Sequence, residues 1–404
     1  MLRSLGPIVR INPEELHIND PAYYDVIYTT GKKKRDKTAY FIDQFGLHDG
    51  IFGTIPHDLH RARREPLAPY FSRSSVSKLE PMIHEAAEKL CRQILSWKGS
   101  GMPVKLHIAT SCLTSDIISE YAYGFSYDFL EDREFKTNLH DSNRDWFPVT
   151  PIFKQFPFLI SLFQSLPNRV TVAMQPAMAA LIAFQEKYDI EIEEIKKQLK
   201  EGGEKAWERT RLAKTIFHEI LLSDLPEAEK STKRISAEAQ TVVAAGTETT
   251  ARALAITWFY LLVRGGRGRE ILSRIRKDIQ SAIEADGAIP SWAALEKLLY
   301  LKAVIHEGLR LSYGVSTRLP RVPHEPIHFE SSYRTGGKVY EYDIPPGTAL
   351  CMSCADIHQN EEIFPNASEF VPERWIDENG SWRHQLERYM VAFSKGSRAC
   401  LGIK

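Results

Sequence analysis

Near the end of the chain, Phe393-Ser394-Lys395-Gly396-Ser397-Arg398-Ala399-Cys400-Leu401-Gly402 sets a lone cysteine between two glycines, with an arginine and a phenylalanine at fixed distances before it. A free thiol has a pKa near ~8.5, and coordination to a metal cation deprotonates it outright. The arrangement suits a thiolate held against the iron of a flat macrocycle. Gly396 and Gly402 let the backbone turn sharply and approach a ring where a Cβ would clash. The intervening N–H groups could point at the sulfur and tune the metal. Arg398 is placed to meet a ring carboxylate with its planar fork, and Phe393 to pack beside the ring.

The competing reading is a glycine-rich surface loop with an incidental cysteine. Five specified positions at fixed spacing arise by chance well under roughly one time in a thousand in a chain of this size, given ordinary residue usage. The decapeptide resembles the F-x-x-G-x-R-x-C-x-G haem-binding loop of the cytochrome P450 family. That resemblance implies haem b (iron protoporphyrin IX), with Cys400 as the iron ligand and Phe393, Gly396, Arg398 and Gly402 binding the cofactor. It also implies a mainly α fold with a small β region. One helical catalytic domain would span residues 1–404, with a long central helix over the haem.

Three further stretches match family patterns in family order. His57 to Phe71 reads as a basic helix on which His60 and Arg64, at i and i+4, share one face. By itself this is a solvated surface; by resemblance the pair holds a haem propionate. The central helix is predicted from Ser236, as N-cap with Glu238 in its first turn, to about Val263. In its middle, Ala245-Gly246-Thr247-Glu248-Thr249-Thr250 gathers poor helix formers. Threonine hydroxyls there can bond the i−4 carbonyl and bend the helix. The resemblance makes Glu248 and Thr249 the acid and alcohol of oxygen activation. Glu307 and Arg310, at i and i+3, match the family E-x-x-R, with Arg374 as third member. Such a buried set fixes geometry more often than it catalyses. Arg321, in Ser316 to Val322, is implied as a further propionate partner.

Composition bounds the rest. The chain has 404 residues, 43% hydrophobic, with 52 basic against 52 acidic side chains, and nothing in that balance points to nucleic acid. Lys32-Lys33-Lys34-Arg35 reads as a solvated loop. Five scattered cysteines do not make a disulfide framework. Cys351-Met352-Ser353-Cys354 lacks a second pair or a histidine cluster, and its surroundings read as a buried strand. The longest apolar run, Ala253 to Val263, is eleven residues and too short to span a bilayer. A strand is expected at Gly6–Ile11 and a short helix from Pro21 to Thr30, opened by Asp20. Scaffold helices are expected over 81–97 and 107–123. Residues 145–167 show no clean period, and by resemblance this zone and the loop 46–54 roof the substrate pocket. A long helix should run from about Pro176 and break at Gly202-Gly203. A β-hairpin is expected over 326–342, turning at Gly336-Gly337.

The implied reaction inserts one oxygen atom of dioxygen into a lipophilic, secondary-metabolite-type substrate, with electrons from an NADPH-dependent flavoprotein reductase. Arg61, Arg63 and Lys395 would form the basic docking surface. The wording is most similar to fungal microsomal members, whose anchored relatives lie on the cytosolic face of the endoplasmic reticulum. Against that pattern, the anchor and the segment after the cysteine loop are missing from this chain. It is therefore expected to be an incomplete form, and a haem-binding remnant without turnover stands as the alternative. A helical binding module without haem is the third class. Substrate and regiochemistry are not legible, because pocket walls are apolar positions that many sequences share.

Overall fold

Apolar residues spaced three and four apart become helices through most of the chain, and strands are few and short. The computed structural model describes residues 6–136, 138–174, 178–208, 215–263, 265–287, 289–331 and 339–403. In chain order the main elements are β1 (Ile8–Asn12), β2 (Glu15–Ile18), β3 (Arg35–Asp36), α1 (His57–Arg64), α2 (Glu80–Ser96), α3 (Leu106–Tyr123), α4 (Leu139–Trp146) and α5 (Met178–Glu208). There follow α6 (Thr232–Val263), α7 (Gly265–Asp286), α8 (Leu299–Ser312), β4 (Val322–Pro323), β5 (Ile327–Glu330), β6 (Glu341–Ile344) and β7 (Ala349–Cys351). The chain divides into two compact units, Met1–Asp36 with Arg252–Ile403, and Lys37–Ala251.

The first unit carries the described strands. β1 pairs antiparallel with β2, and β2 runs parallel to β7 with Leu16 opposite Leu350. β5 and β6 form the expected hairpin ladder, Ile327 opposite Ile344, while its turn at Gly336-Gly337 lies outside the described residues. Ile18, Tyr24, Ile27, Phe329, Leu350 and Ile357 make one core beneath these strands. Asp20 caps the helical turn at Pro21–Tyr23, and the helix that follows ends at Ile27, short of the expected Thr30. Arg35 departs from the expected solvated run. It is buried, donates to the Ile27 and Val26 carbonyls, and pairs with Glu325 at 2.8 Å.

The polar centre of this unit is Glu307 on α8. Its Oε1 accepts from Arg310 at 2.7 Å, Arg374 at 3.0 Å and the Val371 amide at 2.9 Å. Its Oε2 accepts from Arg310 at 3.0 Å and the Trp375 indole at 2.9 Å. The remaining guanidinium donors reach the His358, Ala367, Glu369, Pro365 and Asn366 carbonyls. A buried ion pair survives desolvation only when its donors and lone pairs are satisfied in this way. His358 extends the network: Nδ1–H donates to the Arg310 carbonyl at 2.9 Å and Nε2 accepts the Val391 amide at 3.1 Å. Val391 opens the segment that leads into the Cys400 loop. Burial, and then the Arg310 charge, lower the pKa of His358 to about 3.

In the second unit, the part of α6 up to Ala251 packs on α3 through hydroxyls. Thr114 donates to the Thr247 carbonyl at 2.9 Å, Thr110 to the Ala251 carbonyl at 3.3 Å, and Ser115 bonds the Thr247 hydroxyl at 3.3 Å. Gly246 sits where a Cβ would fall 2.7 Å from Ile118 Cγ1. α6 begins one turn before the expected Ser236, because the Ser231 carbonyl already accepts the Ile235 amide. Glu238 is accordingly no first-turn acid. It is fully buried, pairs with Arg234 at 2.9 Å and accepts the Ile51 amide at 3.0 Å, tying the loop 46–54 to α6. α5 runs through Gly202-Gly203 to Glu208, since a helical glycine costs only about 1 kcal/mol and does not forbid the conformation; Pro176 lies outside the described residues. The aperiodic zone 145–167 is a series of short helical pieces, among them Thr150–Gln155 and Phe158–Gln164, punctuated by Pro148, Pro151 and Pro157.

Because His358 is held neutral, it has a lower pKa folded than unfolded, so the unfolded chain binds the extra proton. Its contribution is complete above the unfolded value near ~6.5 and is lost as pH falls from there toward 3. His358→Asn should therefore remove a few kcal/mol of the pH 7 to pH 4 difference in unfolding free energy, of the order set by linkage. Denaturant melts of both proteins across that range would read it, and parallel curves would refute it.

At Gly246, alanine gains about 1 kcal/mol of helix propensity but forces overpacking that typically costs 1–3 kcal/mol. We expect Gly246→Ala to be no more stable than the parent and Ile118→Val to recover part of any loss. A single mutant that melts higher than the parent contradicts the packing argument.

Candidate functional site

Two backbone devices shape the cysteine loop. Gly396 has φ +78°, and a Cβ there would lie 2.3 Å from the Thr29 carbonyl oxygen and 2.5 Å from that of Tyr28. The Ser397 amide donates to the same Thr29 carbonyl at 3.1 Å, so the loop is fastened to the N-terminal segment. A short helical turn, Gly396–Arg398, then delivers Cys400, whose amide closes back on the Phe393 carbonyl at 2.9 Å. Cys400 is exposed, Phe393 is half-buried, and among the described residues nothing beyond its chain neighbours lies within 4 Å of a Cβ built on Gly402. One expectation changes. The amides of Ser397, Ala399 and Cys400 all donate to backbone carbonyls, so these three are committed away from the sulfur.

Beside the loop, two cations are buried near each other. Arg321 is 3% exposed and Arg398 8%. Reciprocal bonds with Leu350, at 2.8 and 2.9 Å, hold the Arg321 backbone against β7, and its Nη1 donates to the Pro320 carbonyl. Arg398 donates from Nε to the Arg35 carbonyl at 2.9 Å. Burial, and then the Arg321 charge, lower the Arg398 pKa to about 9 against the opposing pull of Asp36. Two desolvated guanidinium groups that repel each other are stabilised by an anion with room for both forks. Ring carboxylates beside an exposed cysteine meet that demand, so these residues fit an iron porphyrin.

His60 and Arg64 lie on α1, one turn apart as expected, His60 buried and Arg64 half-buried. Between them in sequence, Arg63 departs from the expected docking surface. It is buried, grips Glu229 through two bonds of 2.6 and 3.0 Å, and donates to the Thr54 hydroxyl at 2.9 Å. Lys395 is held by Asp25 at 2.7 Å. Of the three, Arg61 is exposed.

Glu248 and Thr249 are neighbours on α6, but their polar atoms are engaged separately. The Thr249 hydroxyl donates to the Ala245 carbonyl at 2.7 Å. The Glu248 carboxylate meets Nδ1 of His140, on α4, at 3.2 and 3.3 Å through its two oxygens. The His107 ring, from α3, stands edge-on to His140 with centroids 4.9 Å apart. His140 went unnoticed in the sequence because it lies in a stretch with no motif and no period, more than a hundred residues from its partner. Cys351 and Cys354 are structural by position. Cys351 donates to the Leu16 carbonyl across the β2–β7 pair, and burial pushes the Cys354 thiol up to about 12. Among the described residues, no cluster of three or more histidine, cysteine or acidic groups forms a metal site, and no helix is long and apolar enough to cross a membrane.

Comparison with known proteins accords with this geometry. The Cytochrome P450 family model matches residues 3–404. The cytochrome P450 monooxygenase tpcC of Cochliobolus heterostrophus is 38% identical over 399 residues, covering 98% of this chain and 73% of that protein. The tryptophan 6-hydroxylase fscE of Fusarium equiseti is 36% identical, over 98% of this chain and 74% of its own. The conidiogenone synthase PchP450 of Penicillium rubens is 35% identical, over all of this chain and 76% of its own. Matching its family in the cysteine loop, the Glu307 network and nearly the whole of its length, the chain belongs to the cytochrome P450 family, the haem-dependent monooxygenases.

Proposed function

We propose that this chain is a haem-thiolate monooxygenase in which Cys400 ligates the iron and Arg321, Arg398, His60 and Arg64 take the propionates. Its substrate class is lipophilic secondary-metabolite intermediates. The observation that carries the reading is the buried Arg321–Arg398 pair set beside a loop that Gly396 pins open-faced. When bound, haem supplies the activation of dioxygen, with two electrons and two protons, so that one oxygen atom enters a C–H or C=C bond and the other leaves as water. The protein's share is placement and protons. Phe393 and Gly402 leave a flat face for the ring. The Thr249 hydroxyl, now bonded to Ala245, is the donor that can turn from its own helix toward the reacting oxygen, and Glu248 is the acid that restores its proton. The names of the relatives, a tryptophan 6-hydroxylase and a conidiogenone synthase among them, support an organic substrate of this general class. Electrons are supplied by an NADPH-dependent flavoprotein reductase at the endoplasmic reticulum surface, with Arg61 as the basic contact left exposed.

The ligand assignment is tested by the ferrous–carbon monoxide spectrum. Cys400→Ser should lose the thiolate-type red-shifted band while keeping most of its helical content, and Cys351→Ser and Cys354→Ser should keep the band. Loss in either of the latter with retention in Cys400→Ser would overturn it. A parent protein with the band but no turnover would instead favour a haem-binding form without activity.

Thr249→Ala separates coupling from assembly. It removes a hydroxyl bonded within its own helix turn, so fold, haem content and reduction should persist. Product formed per NADPH consumed should fall about tenfold or more, with peroxide rising to match, since a positioned proton donor contributes roughly 10²–10⁴-fold to such a step. Coupling unchanged in Thr249→Ala would move the role to Thr250.

A further inference from the structure

We propose that His140 is a positioning residue for proton delivery, holding the Glu248 carboxylate on its Nδ1 and reloading it with protons drawn from water. The inference rests on the reading of Glu248 as the acid that serves Thr249. An ionised carboxylate only accepts hydrogen bonds, so with both oxygens at 3.2 and 3.3 Å the His140 Nδ1 carries the proton. The two side chains are 23% and 19% exposed, which places the pair at the boundary between protein and water rather than in either. A lysine or arginine at this place would only fix the carboxylate as an anion. Histidine alone titrates unperturbed in the neutral range, and so can hand a proton over and take another.

The groups around the pair suit that cycle. His107 and Lys105 approach from the α3 side, and Asp141 follows His140 on α4. Burial, then the charges of His140 and Lys105, lower the pKa of His107, against the pull of Asp141 and Glu248. That shift disfavours a charge on His107 beside the His140 ring. In the step itself, Nδ1–H of the imidazolium passes its proton to the Glu248 carboxylate, leaving neutral imidazole and a carboxylic acid. Rotation of the Glu248 side chain carries that proton to the Thr249 side of α6, and water reprotonates the ring. No electrons move.

The alternative is that the pair merely fastens α4 to α6, and two measurements on the haem-loaded full chain separate these. The first is the histidine ¹⁵N NMR spectrum of the diamagnetic ferrous–carbon monoxide form. The His140 Nδ1 signal should be that of a protonated nitrogen and should shift in Glu248→Gln, because its carboxylate partner is gone. An Nδ1 without a proton, or a signal that does not move, overturns the proposal.

The second uses dioxygen itself as the probe, with reductase and NADPH and no added substrate, following peroxide yield from about pH 6 to 8, where histidine titrates. His140→Asn keeps a donor near the Nδ1 position but cannot relay. It should raise the peroxide yield roughly tenfold, less than a direct acid's 10²–10⁴ because water partly replaces a relay, and flatten its pH dependence. His140→Gln serves as the second variant if the asparagine protein lacks the thiolate-type band. A profile parallel to the parent's in a correctly assembled variant means a fastening role and overturns the proposal. Should Glu248→Gln shift the yield while the His140 variants do not, His140 alone is wrong. Silence in Glu248→Gln as well removes both readings.

Discussion

Glu307 carries one negative charge with no exposure to water, and the first unit is built so that this charge is never alone. Five donors converge on its two oxygens, and the two arginines that supply three of them spend their other hydrogens on five carbonyls between His358 and Glu369. Removing one partner from such a set costs about 3–5 kcal/mol, because the rest remain buried and uncompensated. The cluster thus fixes an irregular stretch that has almost no secondary structure of its own. Through His358, whose ring bridges the Arg310 carbonyl and the Val391 amide, the same constraint reaches the entry of the cysteine loop. Geometry at the proposed ligand is inherited from an ion pair on a distant helix turn.

The α3–α6 seam solves a different problem. Gly246 and the threonines weaken α6 as an isolated helix, yet it is assigned as uninterrupted α-helix from Thr232 to Val263. Hydroxyls from α3 supply second donors to the carbonyls of Thr247 and Ala251. The close approach those bonds need is available because residue 246 has no side chain. Local propensity is given up and tertiary bonding replaces it, which leaves Thr249 as a hydroxyl lent to its own helix rather than spent on a neighbour.

These two networks show what was legible beforehand. Cys400, Gly396, Arg398, Glu307 and Arg310 sit in dense motifs that stand out by their spacing, and the mainly helical class followed from the resemblance. The hairpin ladder was marked by alternation, and β1 and β7 by short strand-like runs. What escaped depends on burial or on partners remote in sequence. Ser236 looked like a cap because it precedes an acid, but Glu238 is an interior partner of Arg234 and the helix starts earlier. Arg63 and Arg35 looked like surface charge within basic runs, and each is buried against a glutamate more than a hundred residues away. Gly202-Gly203 looked like a break, but a small per-residue penalty does not end a helix that is otherwise favourable. His140 had no local signal at all.

The fastening of Gly396 and Ser397 to the Thr29 carbonyl joins residues more than three hundred and sixty positions apart. Thr29 leaves the ribosome well before the cysteine loop, so the two halves of this joint are separated by the synthesis of all the chain between them. The early segment must wait with its carbonyl unengaged while helices with local contacts form, since long loops close late and slowly. The cysteine loop therefore takes its shape only after this long-range contact forms, later than the helices held by local contacts. A prosthetic group seated on that loop would report on a long-range contact already made rather than on local structure alone.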